Sequence, residues 1–284
     1  MAESGHRVGA RSVRTFIGRL AFYLFIVFVT AYFFLPMLWL VVAPFDAVPT
    51  LDVRVPELTL DNLTDVLFRN PHALRSLGNS VLLAVTTMLL VVAVATPAAY
   101  ALSRVHIPGR DLLLYILLLF SSVVTGTAAM VPLFALIFNL GLIDTYVGVV
   151  LVLAGGLLPA AIFILKDFTD STPTSYEESA RVFGANSFQI LRDTVLPLIR
   201  PGLAVIAVWV MVNVWSNFLM PFILLRSQDL SPAAVVMYTF YTEAGQPNLR
   251  LLATFSLLYS VPVVVMYLFV NRRYGFRFYG GIKR

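Results

Sequence analysis

The sequence predicts an all-α integral membrane protein that crosses the bilayer six times. Three observations lead there. Of 284 residues, 59% are hydrophobic and 12% charged, a balance that soluble domains of this length do not carry. The apolar residues are gathered into runs close to the roughly 20 that a membrane-crossing helix needs. The basic residues, finally, are shared unequally among the segments between those runs.

The polar N-terminus, residues 1–19, carries Arg7, Arg11, Arg14 and Arg19, and Leu20 to Val42 then runs apolar apart from Thr30. A cleaved signal peptide competes with a first crossing here. Its apolar region would be about 7 to 15 residues, and this run is longer, which favours an uncleaved helix. Ala43 to Gly78 is a hydrophilic loop with Pro44, Pro49, Pro56 and Pro71, long enough to hold local structure. Asn79 to Leu102 is the second crossing, and a short link with Arg104 and Arg110 leads to the third, Leu112 to about Phe138. Pro97 and Pro132 predict kinks whose freed carbonyls neighbouring helices satisfy. After a tight turn whose sole charge is Asp144, the fourth crossing runs from about Tyr146 to Leu165. Its Gly155, Gly156 and Pro159 predict close helix packing. The fifth covers about Leu203 to Leu225, a polar stretch follows from Arg226 to Arg250, and the sixth runs from Leu251 to Val270. Residues 20–271 thus form one transmembrane domain, followed by a basic tail at 272–284.

With the N-terminus inside, fifteen of the 20 basic residues fall in inner segments and five in outer ones. Positive residues favour the inside, so both termini and residues 167–200 are expected in the cytoplasm of a bacterial cell, with the 43–78 and 226–250 loops outside. The net charge of +5 is then an orientation signal and implies no nucleic-acid partner. Cysteine is absent and His6, His72 and His106 are scattered, so neither disulfides nor a metal site are expected.

One segment fits no crossing. Residues 176–201, YEESARVFGANSFQILRDTVLPLIRP, are too polar for a bilayer core yet lie between two crossings. Ser175 followed by Glu178 reads as a capping box. Tyr176, Ala180 and Phe183 then share one apolar face, with Glu177, Glu178 and Arg181 pointing elsewhere. Gly184 ends this helix. A second begins at Asn186 or Ser187, places Phe188, Leu191 and Val195 on one face, and stops at Pro197. Two amphipathic helices joined at a glycine make a docking knob.

The anchors Glu178, Ala180, Gly184 and Leu196-Pro197 resemble the cytoplasmic EAA loop of binding-protein-dependent ABC importer permeases. Departures fall at Ser179, Phe183 and Thr194. ALSRVHIPGR, MVPLFALIFNLGLIDTYVGVVL, WSNFLMPFILL and the terminal GGIKR extend the resemblance over roughly residues 20–284, to the carbohydrate (maltose-type, MalG-like) branch. Trp215-Ser216-Asn217 stands where that branch usually has Trp-Asn-Glu. The resemblance implies a type I importer permease fold and a role for Tyr176, Glu177, Glu178, Ala180, Phe183, Gly184 and Pro197 in coupling to an ATPase. It also implies the partners: a second homologous permease, two cytoplasmic ATP-binding subunits that hold ATP and Mg, and an extracytoplasmic solute-binding protein, all working at a lipid membrane.

No G-x-x-x-x-G-K-[ST] loop occurs, so this chain is expected to bind no nucleotide itself. No paired acids, nucleophile and base, or metal spacing marks an enzyme. The crossings contain no buried carboxylate, which argues against an ion-coupled secondary transporter, although unwinding at Gly126, Gly155 or Pro159 would offer one a site. For a substrate path, Trp209, Asn213, Ser216, Asn217 and Met220 recur at helical spacing, and Ser121, Ser122, Thr125 and Thr127 cluster in the third crossing. Aromatic faces with amides and hydroxyls suit a sugar; interhelical hydrogen bonding explains the same pattern equally well. A sugar phosphate or glycerophosphodiester is the rival substrate.

Overall fold

The computed structural model describes residues 5–50, 52, 55–106, 108–124, 129–240 and 247–274. These residues are helical apart from turns and one isolated antiparallel bridge, Asp46 with Leu58. Helix α1, Gly5–Val42, contains Pro36, and its apolar stretch buries nothing against the rest of the chain. After it, residues 43–50 fold against residues 55–70. Buried Asn62 donates to the carbonyls of Pro44 (3.1 Å) and Asp46 (2.6 Å) and accepts from Arg250, whose guanidinium also reaches Asp65 at 2.6 Å.

Helix α2, Pro71–Arg104, starts eight residues before the expected Asn79. Asn70 caps it by accepting from the backbone N–H groups of His72 and Ala73, and Pro71 has the fixed φ that suits a first turn. The expected boundary failed because the first two turns carry His72, Arg75 and the buried Ser76, so hydropathy reads a helical segment as loop. The expected third crossing is divided between α3, Arg110–Val124, and α4, Met130–Asn139, with residues 125–128 outside the described set. Helix α5 is Tyr146–Asp170, with Thr145 accepting from Gly148 N–H at its start.

The polar segment forms α6, Ser175–Val182, and α7, Ser187–Leu198, which meets α8, Arg200–Trp215, at a 79° bend. Helices α9, Leu219–Leu224, α10, Ala233–Tyr238, and α11, Leu249–Tyr274, complete the described chain. The main core lies where α2 packs along α5 and α8. Ala84, Ala95 and Ala99 from α2 meet Ala154 and Ala161 from α5, all buried, and such small side chains let helix axes approach closely. A second cluster joins Val66, Ala73, Ala233 and Val236 to an edge-on pair, Phe240 and Phe255.

Among the described residues α1, α2, α5 and α11 qualify as membrane crossings by length and apolarity, and counting the bent pair α7 and α8 as one span would make five.

Candidate functional site

The segment between α5 and α8 is built from its backbone outward. At the start of α6 the N–H groups of Glu177 and Glu178 donate to the Thr174 carbonyl at 2.9 and 3.0 Å. The expected Ser175–Glu178 capping box does not form. Thr174 is already helical, so Ser175 sits inside the first turn, where its carbonyl accepts from Ser179 Oγ at 2.9 Å. The other end follows the expectation. Gly184 has φ +84°, its N–H donates to Arg181 O, and the Ala185 N–H donates to Ala180 O. These are the two bonds of a Schellman cap, which needs a left-handed residue that glycine supplies without strain. Asn186 and Gln189 then form a reciprocal capping box, both bonds at 2.9 Å.

Helix α7 widens to π-type turns over Ile190–Val195 and runs through Pro197 to Leu198, one residue beyond the expected stop. Proline cannot donate to the preceding turn, and the wider turns ahead of it are where the hydrogen-bond pattern is relaxed. Ile190, Val195 and Ile199 are buried together, with Ala180, Tyr100 and Phe168 packed around them. Beneath them a Cβ on Gly202 would lie 2.5 Å from Phe168 Cγ, so only glycine lets α8 pass that ring.

The expected apolar face divides. Ala180 turns inward, while Tyr176 and Phe183 are 55% and 91% exposed, beside Val182 and Phe188, which are also exposed. Gly184, Ala185, Gln189, Asp193 and Thr194 line the groove between Phe183 and α7. Glu177, expected to point outward, is 3% exposed. Its Oε1 accepts from Arg104 Nε at 2.7 Å and its Oε2 from the Tyr100 hydroxyl at 3.0 Å. The remaining Arg104 donors are taken by Ser103 Oγ, Thr172 Oγ1 and the carbonyls of Thr169 and Thr172. Lys166 Nζ donates to Asp170 at 2.6 Å, and Asp170 also accepts from Ser103. The loop is therefore tied to the last turn of α2 by a largely buried ion pair with further hydrogen bonds around it. Sequence reading missed Arg104, since no local pattern marks a partner this distant. Glu178 and Pro197 are exposed.

The stripe on the fifth crossing does not survive as one face. Helix α8 stops at Trp215, and Trp209 and Met220 pack into or against the core. Asn213 and Ser216 are exposed, with Asn213 Nδ2 donating to Trp209 O and Ser216 Oγ to Val212 O. Asn217 lies in the break and accepts from Met220 N–H. Close by, Phe218, Phe222 and Tyr238 gather with ring centroids 5.0 to 6.0 Å apart, a group that the i, i+4 spacing of the two phenylalanines could have flagged. Thr125 and Thr127, and the side chains of Ser121 and Ser122, lie outside the described residues.

At the opposite end of α2, Asn79 Nδ2 donates to Asp229 O (2.8 Å) and Ser231 O (3.1 Å), and Ser80 Oγ accepts from Ala233 N–H. Asp144, with φ 60°, accepts from the N–H groups of Arg226 and Ser227 and from the Ser227 hydroxyl. Those bonds hold its carboxyl below the ordinary range, with the hydroxyl the leading cause. Among the described residues no three candidate ligands gather to hold a metal.

The maltodextrin transport permease MdxG of Bacillus subtilis (strain 168) is 30% identical over 216 residues, 76% of this chain and 77% of that one. The trehalose transport permease SugB of Mycobacterium tuberculosis (strain CDC 1551) is 29% identical over 252 residues, covering 86% and 90%. In fold, a subunit of a bacterial ABC transporter that imports the acidic polysaccharide alginate superposes with TM-score 0.78 at 24% identity, over 93% of this chain and 98% of that one. Residues 8–276 match the family described as the binding-protein-dependent transport system inner membrane component, and the chain belongs to that family of multi-pass membrane permeases.

Proposed function

We propose that this chain is one permease subunit of an ABC importer for a sugar or oligosaccharide. On this reading it crosses the membrane six times with both termini in the cytoplasm. A second homologous permease completes the path, two ATPase subunits bind ATP and Mg, and an extracytoplasmic binding protein delivers the substrate. The observation that carries the reading is the knob of Tyr176, Val182, Phe183 and Phe188, apolar and exposed on a segment that is itself rigidly capped. Burying each aromatic in a groove of an ATPase contributes roughly 1.5 to 3 kcal/mol before ordering costs. The relatives named for maltodextrin and trehalose transport favour a carbohydrate. So does the chain's chemistry: residues 201–225 carry the amides Asn213 and Asn217, the Ser216 hydroxyl and several aromatics but no charge, and an anion would want one.

Co-expression with the ATPase and purification in mild detergent tests the reading. Retention of the ATPase by the native chain, and its loss on Phe183→Asp, is the expected result. An active carrier purified without any ATPase would overturn it. Thermal-shift screening of the cognate binding protein against neutral and phosphorylated sugars distinguishes the substrate classes.

A further inference from the structure

The loop is bonded to a helix that is not its neighbour in sequence. Arg104 closes α2, and its side chain and that of Glu177 are 14% and 4% exposed. From there α2 runs without a break to Pro71, 34 residues or about 51 Å at 1.5 Å each. Near its other end Asn79 and Ser80, both buried, hold three backbone groups of residues 229–233. Along the way it forms the larger part of the core with α5 and α8. The exposed pair Arg75–Asp229 lies at the same end, but exposed pairs of this kind contribute little.

We infer that α2 is a strut whose two buried polar latches, Arg104–Glu177 at one end and Asn79 and Ser80 at the other, transmit displacement of the coupling loop to the 229–233 segment. The inference rests on the proposed docking of an ATPase at the loop and adds to it a route. Force thereby has a path into the bundle through α2 beside the one through the chain ends of the loop at Asp170 and Arg200. Arg104 and Glu177 are positioning residues: Phe183 and its neighbours make the contact, and the ion pair makes the contact move something. Coupling of this kind is reciprocal, so an event at the 229–233 segment must also bias the loop.

The test exploits the absence of cysteine from the chain. Gln228→Cys places a single thiol on an exposed position beside the 229–233 segment. In the assembled complex, the rate of its modification by a maleimide is compared with and without ATP and vanadate, which trap the ATPases closed. The native pair is expected to give a change in rate. Glu177→Gln is expected to cut that change by about fivefold or more, the scale of ordinary coupling. Asn79→Ala should do the same from the other end, and combining the two should lose no more than the larger single effect. A full change in Glu177→Gln overturns the strut, as does no change in the native complex. Should Glu177→Gln fail to assemble, the charge swap Arg104→Glu with Glu177→Arg decides: an assembled swap with the change restored supports the strut, and any other result counts against it. Failure of the native chain to retain the ATPase is a separate result and removes the docking reading together with the strut.

Discussion

Arg104 Nε lies 2.7 Å from Glu177 Oε1, although 73 residues separate the two in sequence. Removing one member of a buried pair leaves the other charged and unpartnered, typically at about 3–5 kcal/mol. Arg104→Ala should therefore lower the thermal stability of the solubilised chain and expose the loop to limited proteolysis. Arg104→Lys should recover only part, because a lysine cannot reproduce the forked contacts to Ser103, Thr169 and Thr172. Wild-type protease resistance in Arg104→Ala would show that the pair does not hold the loop.

Gly184 and Asn186 lie two residues apart and should respond differently. At φ +84° a Cβ is strained, costing about 1 kcal/mol or more, so Gly184→Asp is expected to abolish uptake and release the ATPase. Asn186→Ser keeps a capping oxygen and should lose only a few tenths of a kcal/mol. Uptake assays and co-purification, run on both variants, read the contrast. Normal uptake by Gly184→Asp with a normally assembled ATPase would end the docking argument.

Packing of α8 against Phe168 makes a third case. Gly202→Ala places a methyl where 2.5 Å separates it from Phe168 Cγ, and overpacking of this kind costs about 1–3 kcal/mol. Loss of thermal stability in Gly202→Ala, partly restored by adding Phe168→Leu, is the expected pattern. Equal losses with and without the second change would mean that the ring is not the obstacle.

Asp144 supplies a pH dependence with a definite sign. Its folded carboxyl titrates below the ordinary 3.8, so the carboxylate contributes stability above that value and loses it as pH falls through the lowered folded one. Thermal unfolding followed from about pH 5 down to pH 2.5 should show the loss. In Asp144→Asn that part of the acid dependence should vanish with little change at neutral pH, since an amide oxygen still accepts the two backbone bonds and asparagine tolerates positive φ. An unchanged acid profile would remove Asp144 as its source.

What was legible in the sequence was local. Gly184 and Asn186 announce their turn and cap because backbone strain and capping depend on the residue itself, and α5 is bounded by a cap and a run of apolar letters. Burial of polar groups was not legible. Ser76 lies in the expected loop and is buried helix, and Glu177 reads as surface and is interior, because its partners Arg104 and Tyr100 lie far away in the chain. Ser175 failed for a smaller reason: a helix that begins one residue early turns an N-cap into an ordinary first-turn residue. The stripe from Trp209 to Met220 assumed one continuous helix, and the break after Trp215 sends its members to different surroundings.

The 79° bend at Ile199 has a mechanical reading of its own. Helix α7 is a crank: twelve residues from Ser187 to Leu198 give an arm of about 18 Å at 1.5 Å each. A shift of about 3 Å at its Ser187 end, with the two helices turning as one body, swings α8 through roughly 10° by that arm length. Over the 16 residues of α8, about 24 Å long, the same swing carries Trp215 through about 4 Å. If the knob docks as proposed, a small push there would arrive at the far end of α8 as a displacement slightly larger than the one applied.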